Sequence, residues 1–208
     1  MKTYAFIDAS NLFYGGEKSL GWKIDYQRLL EYLKKKYNIK KAFYFGGVDT
    51  YNFPFDYLNA DSVDIKQLKV YVLNLIEKEK INRNLEKISS LEKSLKRIKF
   101  YKKLEEFGYI LILKPVKTFK KKDGSSEIKA NCDVDMTFYM MNYQNEYDKA
   151  VILSGDGDFL PVLKHLQKRG KEIHILARSR RTAKEIRVFA KKSFQDFEYL
   201  KESIKQIK

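Results

Sequence analysis

The chain is poor in the residues that cross-link a fold or anchor it in a membrane. Its single cysteine, Cys132, excludes an internal disulfide framework and fits a reducing compartment. Two histidines with that cysteine are too few for a structural zinc site of the usual kind, so any metal should be a hard ion held by oxygen. No apolar run approaches the roughly 20 residues that cross a bilayer. The opening run Met1 to Asp8 reaches an acid too soon for a signal peptide, and no small-residue cleavage site follows. Together these absences predict a cytoplasmic protein with no membrane segment. There is no internal repeat and no low-complexity linker.

What is present is a globular composition with strong positive charge. Hydrophobic residues make up 44% of the chain and aromatics 14%, enough to bury a sizeable core. The length of 208 residues predicts one domain over 1–208, with a helical insertion at about 61–106 and a helical tail at about 201–208. Forty-two Lys and Arg against 27 Asp and Glu give a net charge of +15. Such an excess favours a polyanionic partner, because surface cations gain affinity by displacing phosphate counterions.

Short apolar runs predict strands at 3–8, 41–45, 109–113, 150–153 and 172–176, alternating with helical periodicity. Asp25 caps one amphipathic stretch, with Leu29, Leu30, Leu33 and Tyr37 at helical spacing. That alternation implies right-handed crossovers and a parallel sheet with helices on both faces. Residues 61–106 carry no Gly or Pro, and Ile81, Leu85, Ile88, Leu95 and Ile98 mark the seam of a long helix or helical hairpin. Such a seam makes a homodimer one expectation, beside that of a helix covering the sheet. Residues 114–129 read as a lysine-rich β-hairpin turning at Asp123-Gly124. Thr182-Ala-Lys-Glu185 reads as a capping box opening another helix.

The acids stand where strands end. Asp8 closes the first strand, with Asn11 in the following loop, and Asp156 and Asp158 follow the strand at 150–153 in Ser154-Gly-Asp-Gly-Asp-Phe159. In an open parallel sheet, ligands bind beyond the carboxyl ends of strands, so neighbouring first and fourth strands would bring these acids together. Packed carboxylates repel unless a cation neutralises them, and oxygen-only donors select Mg²⁺ or Mn²⁺. Asp133 and Asp135, directly after the basic hairpin, are further metal ligands; in a helix their side chains diverge by about 200°, which favours Asp133. Such ions position a water and stabilise the charge that builds on a cleaved phosphodiester. Ser154 and Asn11 would hold carboxylates or phosphate. Lys117 and Lys129 of the hairpin, with Arg178, Arg180 and Arg181 after the fifth strand, would guide the nucleic-acid strand. Tyr14, Trp22 and Tyr51 are aromatics able to stack on bases, Trp22 reading rather as half-buried packing. Each of these residues also has a plainer reading as a cap, a turn former or a solvated charge.

Three ordered motifs, Asp8 to Asn11, Lys129-Ala-Asn-Cys-Asp133-Val-Asp135, and Ser154 to Phe159 running on to Gly170-Lys171, resemble the NYN domains of the LabA-like group, relatives of the PIN-domain nucleases. The resemblance implies a PIN-like three-layer α/β/α sandwich with a central, mainly parallel sheet. It also implies divalent-metal ribonuclease chemistry, with Asp8, Asn11, Asp133, Asp156 and Asp158 at the catalytic centre and RNA as substrate. Asp135 stands where the family usually has Glu, and the helical segment at 61–106 is longer than the family's connection. The alternative is an RNA-binding regulatory module of the same fold that cuts little. A haloacid-dehalogenase phosphatase would need Asp-x-Asp after the first strand, where this chain has Asp8-Ala-Ser10.

Overall fold

The computed structural model describes residues 1–120, 126–130 and 132–206, with only the backbone of 117–120 and 126–129. Five apolar runs become strands: β1 (Thr3–Asp8), β2 (Ile39–Val48), β3 (Ile110–Pro115), β6 (Lys149–Leu153) and β7 (Glu172–Ala177). A short β8 (Phe194–Asp196) completes an all-parallel six-stranded sheet in the order β3-β2-β1-β6-β7-β8, flanked by helices. The expected α/β sandwich is therefore what the chain forms. β1 is the pivot of the sheet, pairing in parallel with β2 on one side and β6 on the other. Its Ala5, Phe6 and Ile7 are wholly buried, as are Ala150 to Leu153 of β6, which is why both strands read as continuous apolar runs instead of alternating ones. Each large side chain so buried stabilises the fold by roughly 1.5–3 kcal/mol relative to exposure.

The chain divides into two compact units. The first comprises residues 1–45, 107–110 and 132–208. Here α1 (Tyr26–Tyr37) starts at Asp25, whose carboxylate accepts from the Arg28 amide at 3.0 Å, and ends at Asn38 in the left-handed region. α4 (Asp133–Asn142), α5 (Leu160–Lys168), α6 (Lys184–Ala190) and α7 (Lys201–Ile204) follow in the same unit. Between β1 and α1, residues Asn11–Lys18 form a π-helix where the sequence predicts a loop after Asp8.

The second unit, residues 46–106 and 111–131, contains a helical hairpin of α2 (Ile65–Ile81) and α3 (Leu85–Phe107). The chain reverses at Asn82–Asn84, with Arg83 at a φ of 52°. The buried Glu79 is held by Lys87 across that turn at 2.5 Å, and Tyr101 donates to the Gly47 carbonyl at 2.8 Å. The lysine-rich hairpin forms as β4 (Lys117–Lys120) paired antiparallel with β5 (Ser126–Lys129); its turn, with Asp123-Gly124, lies outside the described residues. Among the described residues no helix is long and apolar enough to cross a membrane.

Candidate functional site

Every β-strand of a parallel sheet points its carboxyl end to the same edge, and β1 and β6 deliver their acids there side by side. Asp8, the last residue of β1, has its Oδ1 fixed by three donors: the Ser10 amide at 2.9 Å, the Ser10 hydroxyl at 2.6 Å and the Asn11 amide at 3.2 Å. Its Oδ2 accepts from the Ser154 hydroxyl at 3.1 Å. That hydroxyl, fully covered just after β6, in turn accepts from the Asp156 amide at 3.3 Å. One buried serine thus ties the loop after β1 to the loop after β6. Asp156 Oδ1 accepts from the Asp158 amide at 2.9 Å, starting the short 3-10 turn Gly157–Phe159 that leads into α5.

Glycine is required next to these acids by close approach. A Cβ on Gly155 would lie 2.5 Å from Thr182 Oγ1 and 2.9 Å from the Thr182 Cα, so the loop after β6 lies directly on the chain after β7. A Cβ on Gly157 would lie 2.5 Å from the Glu185 carboxylate, a flexible end that can give way. The Gly155 carbonyl also accepts from the Ala183 amide at 2.9 Å.

These contacts surround an open cleft of about 600 Å³. Asp8, Ser10 and Asn11 line one side, Asp156 with its flanking glycines another, and Arg180 and Arg181 a third. Both arginines are exposed on the 3-10 turn Ser179–Arg181. The π-helix contributes Tyr14 and Gly15 to the wall. Two carboxylates and two arginines lining one cleft can hold a cation and a phosphate together.

Other expected site residues lie elsewhere. Arg178 is 5% exposed and belongs to the core: its Nη1 donates to both Asp196 oxygens, at 3.0 and 3.2 Å, and to Glu198 at 2.5 Å. The Glu198 carboxylate, with Asp196 beside it, raises its pKa still further. Burial and two carboxylate partners replace the substrate contact expected of it. Asp158 is exposed on the 157–159 turn and does not line the cleft. Asp133 and Asp135 occupy the first turn of α4, half-buried and, being helical, directed apart; α4 packs on β1 and against the 157–159 turn, but neither acid lines the cleft. Asn131 and the side chains of Lys117 and Lys129 lie outside the described residues. Thr182 does not cap α6: its hydroxyl donates to the Arg178 carbonyl at 2.8 Å, and the cap position falls to Ala183. Tyr51 bonds Ser94 at 2.8 Å in the second unit.

The donor set sets limits on a metal. Among the described residues no group of three or more His, Cys, Asp or Glu side chains is placed to hold an ion. Asp8 and Asp156, supplemented by the Asn11 amide, fit a Mg²⁺ or Mn²⁺ that keeps most of its waters and takes its other ligands from a phosphate. They do not fit an ion enclosed by protein.

Comparison with known proteins bears on the family and the fold of the chain. The chain is 23% identical over 186 residues to the low amplitude and bright protein LabA of Synechococcus elongatus, covering 88% of this chain and 76% of that one. The crystal structure of a protein of unknown function from Vibrio parahaemolyticus superposes with a TM-score of 0.56 over 94% of this chain and 90% of that chain, at 17% identity, a likeness of fold alone. A family model matches residues 72–198, a span that includes Asp133, Asp156 and the Arg178–Arg181 turn but stops short of Asp8. That model is the NYN domain, and this chain belongs to the NYN domain family.

Proposed function

We propose that this protein is a ribonuclease that hydrolyses RNA phosphodiester bonds with a divalent ion, Mg²⁺ or Mn²⁺, held at Asp8 and Asp156. The observation that supports it most is the cleft at the carboxyl edge of the sheet that those two carboxylates line together with Arg180 and Arg181. In this reading the ion would polarise the phosphate and lower the pKa of an attacking water. Ser154 and the amides of Ser10 and Asn11 fix the Asp8 carboxylate, so it need not reorganise as charge develops. Arg180 and Arg181 neutralise the non-bridging oxygens and draw the strand in. Asp158, Asp133 and Asp135 serve this site from its margin, as ligands to bound waters or to a second ion. Lys117 and Lys129 would contact the RNA backbone.

The absence of a three-acid group among the described residues favours a second reading, an RNA-binding regulatory module that cuts little. Labelled single-stranded RNA incubated with Mn²⁺, Mg²⁺ or chelator, beside the Asp156→Asn variant, separates the two. The nuclease reading expects metal-dependent cleavage that falls to background in the variant while RNA binding persists. Cleavage at the normal rate by the variant would remove Asp156 from the site. Binding without cleavage under every metal condition would leave the regulatory module.

A further inference from the structure

The π-helix Asn11–Lys18 has two working faces. Asn11, Tyr14 and Gly15 line the acid cleft, whereas Phe13, Glu17 and Lys18 line a second, larger one of about 1320 Å³. Phe13 and Tyr14 are 42% and 50% exposed, an unusual state for adjacent large aromatics. Their rings meet edge to face at 5.1 Å, and the Lys18 ammonium sits over both, 5.3 and 5.2 Å from the centroids. The two aromatics thus form a continuous ridge from one cleft to the other.

The second cleft is firmly built. Its lining segments at 22–23 and 201–206 are tied together by the antiparallel bridge of Ile24 with Lys205, with the Asp25 amide on the Ile204 carbonyl at 2.8 Å and the Gln206 amide on the Lys23 carbonyl at 2.9 Å. Arg28 reaches across to the carbonyls of Lys205 and Glu202 at 3.0 and 2.9 Å. Trp22, half-buried, lines this cleft. Lys18, Lys23, Lys201 and Lys205 line the walls, all exposed. The acids oppose them weakly. Glu17 is turned inward to accept from the Ile24 amide at 3.1 Å, and Glu202 alone is exposed.

We propose that this second cleft binds single-stranded RNA, stacking bases on Trp22 and Phe13 and holding phosphates with its lysines, so that it takes up the strand leaving the acid cleft over the Phe13–Tyr14 ridge. An aromatic platform within a lysine-lined groove is the arrangement that binds single strands with little regard to sequence. The inference rests on the ribonuclease or RNA-binding reading of the first cleft and adds the path and the strandedness of the substrate.

Trp22 is the chain's one tryptophan, so intrinsic tryptophan fluorescence reports on this cleft alone. The wild-type protein in chelator would be titrated with a uridine dinucleotide and with an oligouridylate of roughly twelve residues. Binding would be followed by anisotropy of the labelled RNA and, in parallel, by Trp22 fluorescence. The longer strand is expected to bind at least about ten-fold more tightly and to quench Trp22, as stacking on a base requires. Lys18→Ala with Lys205→Ala should remove most of that length-dependent gain. Binding of the long strand with unchanged Trp22 fluorescence and no gain over the dinucleotide would overturn the second cleft while leaving the first intact. No binding of either RNA would overturn the reading of the first cleft, and this one with it.

Discussion

The two clefts on either side of the π-helix are made of opposite materials. The acid cleft is lined by short side chains, Asn11 and, each bonded to a backbone amide or to another member of the set, Asp8, Ser10 and Asp156. The second is lined by Trp22, Phe13 and long, exposed lysines, one of which, Lys18, rests its ammonium over the Phe13 and Tyr14 rings. Short side chains tied to backbone have few rotamers to lose, and so hold reacting groups where developing charge needs them. Long lysines and ring faces tolerate many positions of a ligand, which suits a strand of varying sequence. One fold has therefore separated fixing from holding by the length of the side chains it places on each face of one helix.

The contrast can be broken at the points that fix the acid cleft. The largest effect is expected from Arg178→Ala, which strips Asp196 of its buried partner beneath the turn carrying Arg180 and Arg181. It should lower the unfolding free energy in urea by about 3–5 kcal/mol; a loss below about 1 kcal/mol would mean that the turn is held by other means. Gly155→Ala comes next, at about 1–3 kcal/mol, since its new methyl meets the Thr182 backbone. Gly157→Ala, whose methyl meets the movable end of Glu185 at 2.5 Å and otherwise the Ala183 Cβ at 3.3 Å, should lose clearly less. Equal losses in the two alanine variants would contradict the close packing of the loops after β6 and β7.

The smallest effect sharpens the other side of the comparison. Burial raises the pKa of the half-buried Glu17 carboxyl above its ordinary value. A raised carboxyl pKa contributes stability below the unfolded pKa and loses it as pH rises through the folded one. Glu17→Gln keeps an acceptor for the Ile24 amide and removes that loss. The variant should match the wild type near pH 4 and exceed it at pH 7 by roughly 0.5 kcal/mol or less. Paired denaturation curves at the two pH values test the sign.

Much of the first cleft was legible in the sequence, for a physical reason. Asp8 and Asp156 each follow a run so apolar that it must be a buried strand, and a parallel sheet sends both ends to one edge. What the sequence hid depended on remote partners. Nothing in Arg178-Ser-Arg-Arg181 marks which arginine is buried; the choice is made by Asp196, on a three-residue strand with no apolar run to announce it. The capping box at Thr182 failed because the turn before it claimed the hydroxyl. The hairpin at 61–106 could not be told from one long helix, because its reversal uses Arg83 at positive φ where glycine is the usual signal. The second cleft gave no periodic sign at all, being assembled from a π-helix, a turn and a distant segment at 201–206.

A π-helix differs from an α-helix by a single inserted residue, and this one places Tyr14 in the acid cleft and Phe13 in the second. Deleting one residue between Asn11 and Lys18 would restore α-helical winding and swing everything downstream by roughly 100° about the axis. Asn11 would keep its place beside Asp8 while Lys18 turned away from the Phe13–Tyr14 ridge. In evolutionary terms, the Phe13–Tyr14 ridge could be gained or lost in one codon with Asp8 and Asp156 left standing, which makes the length of this helix a natural place for proteins of this fold to diverge in how they hold their substrates.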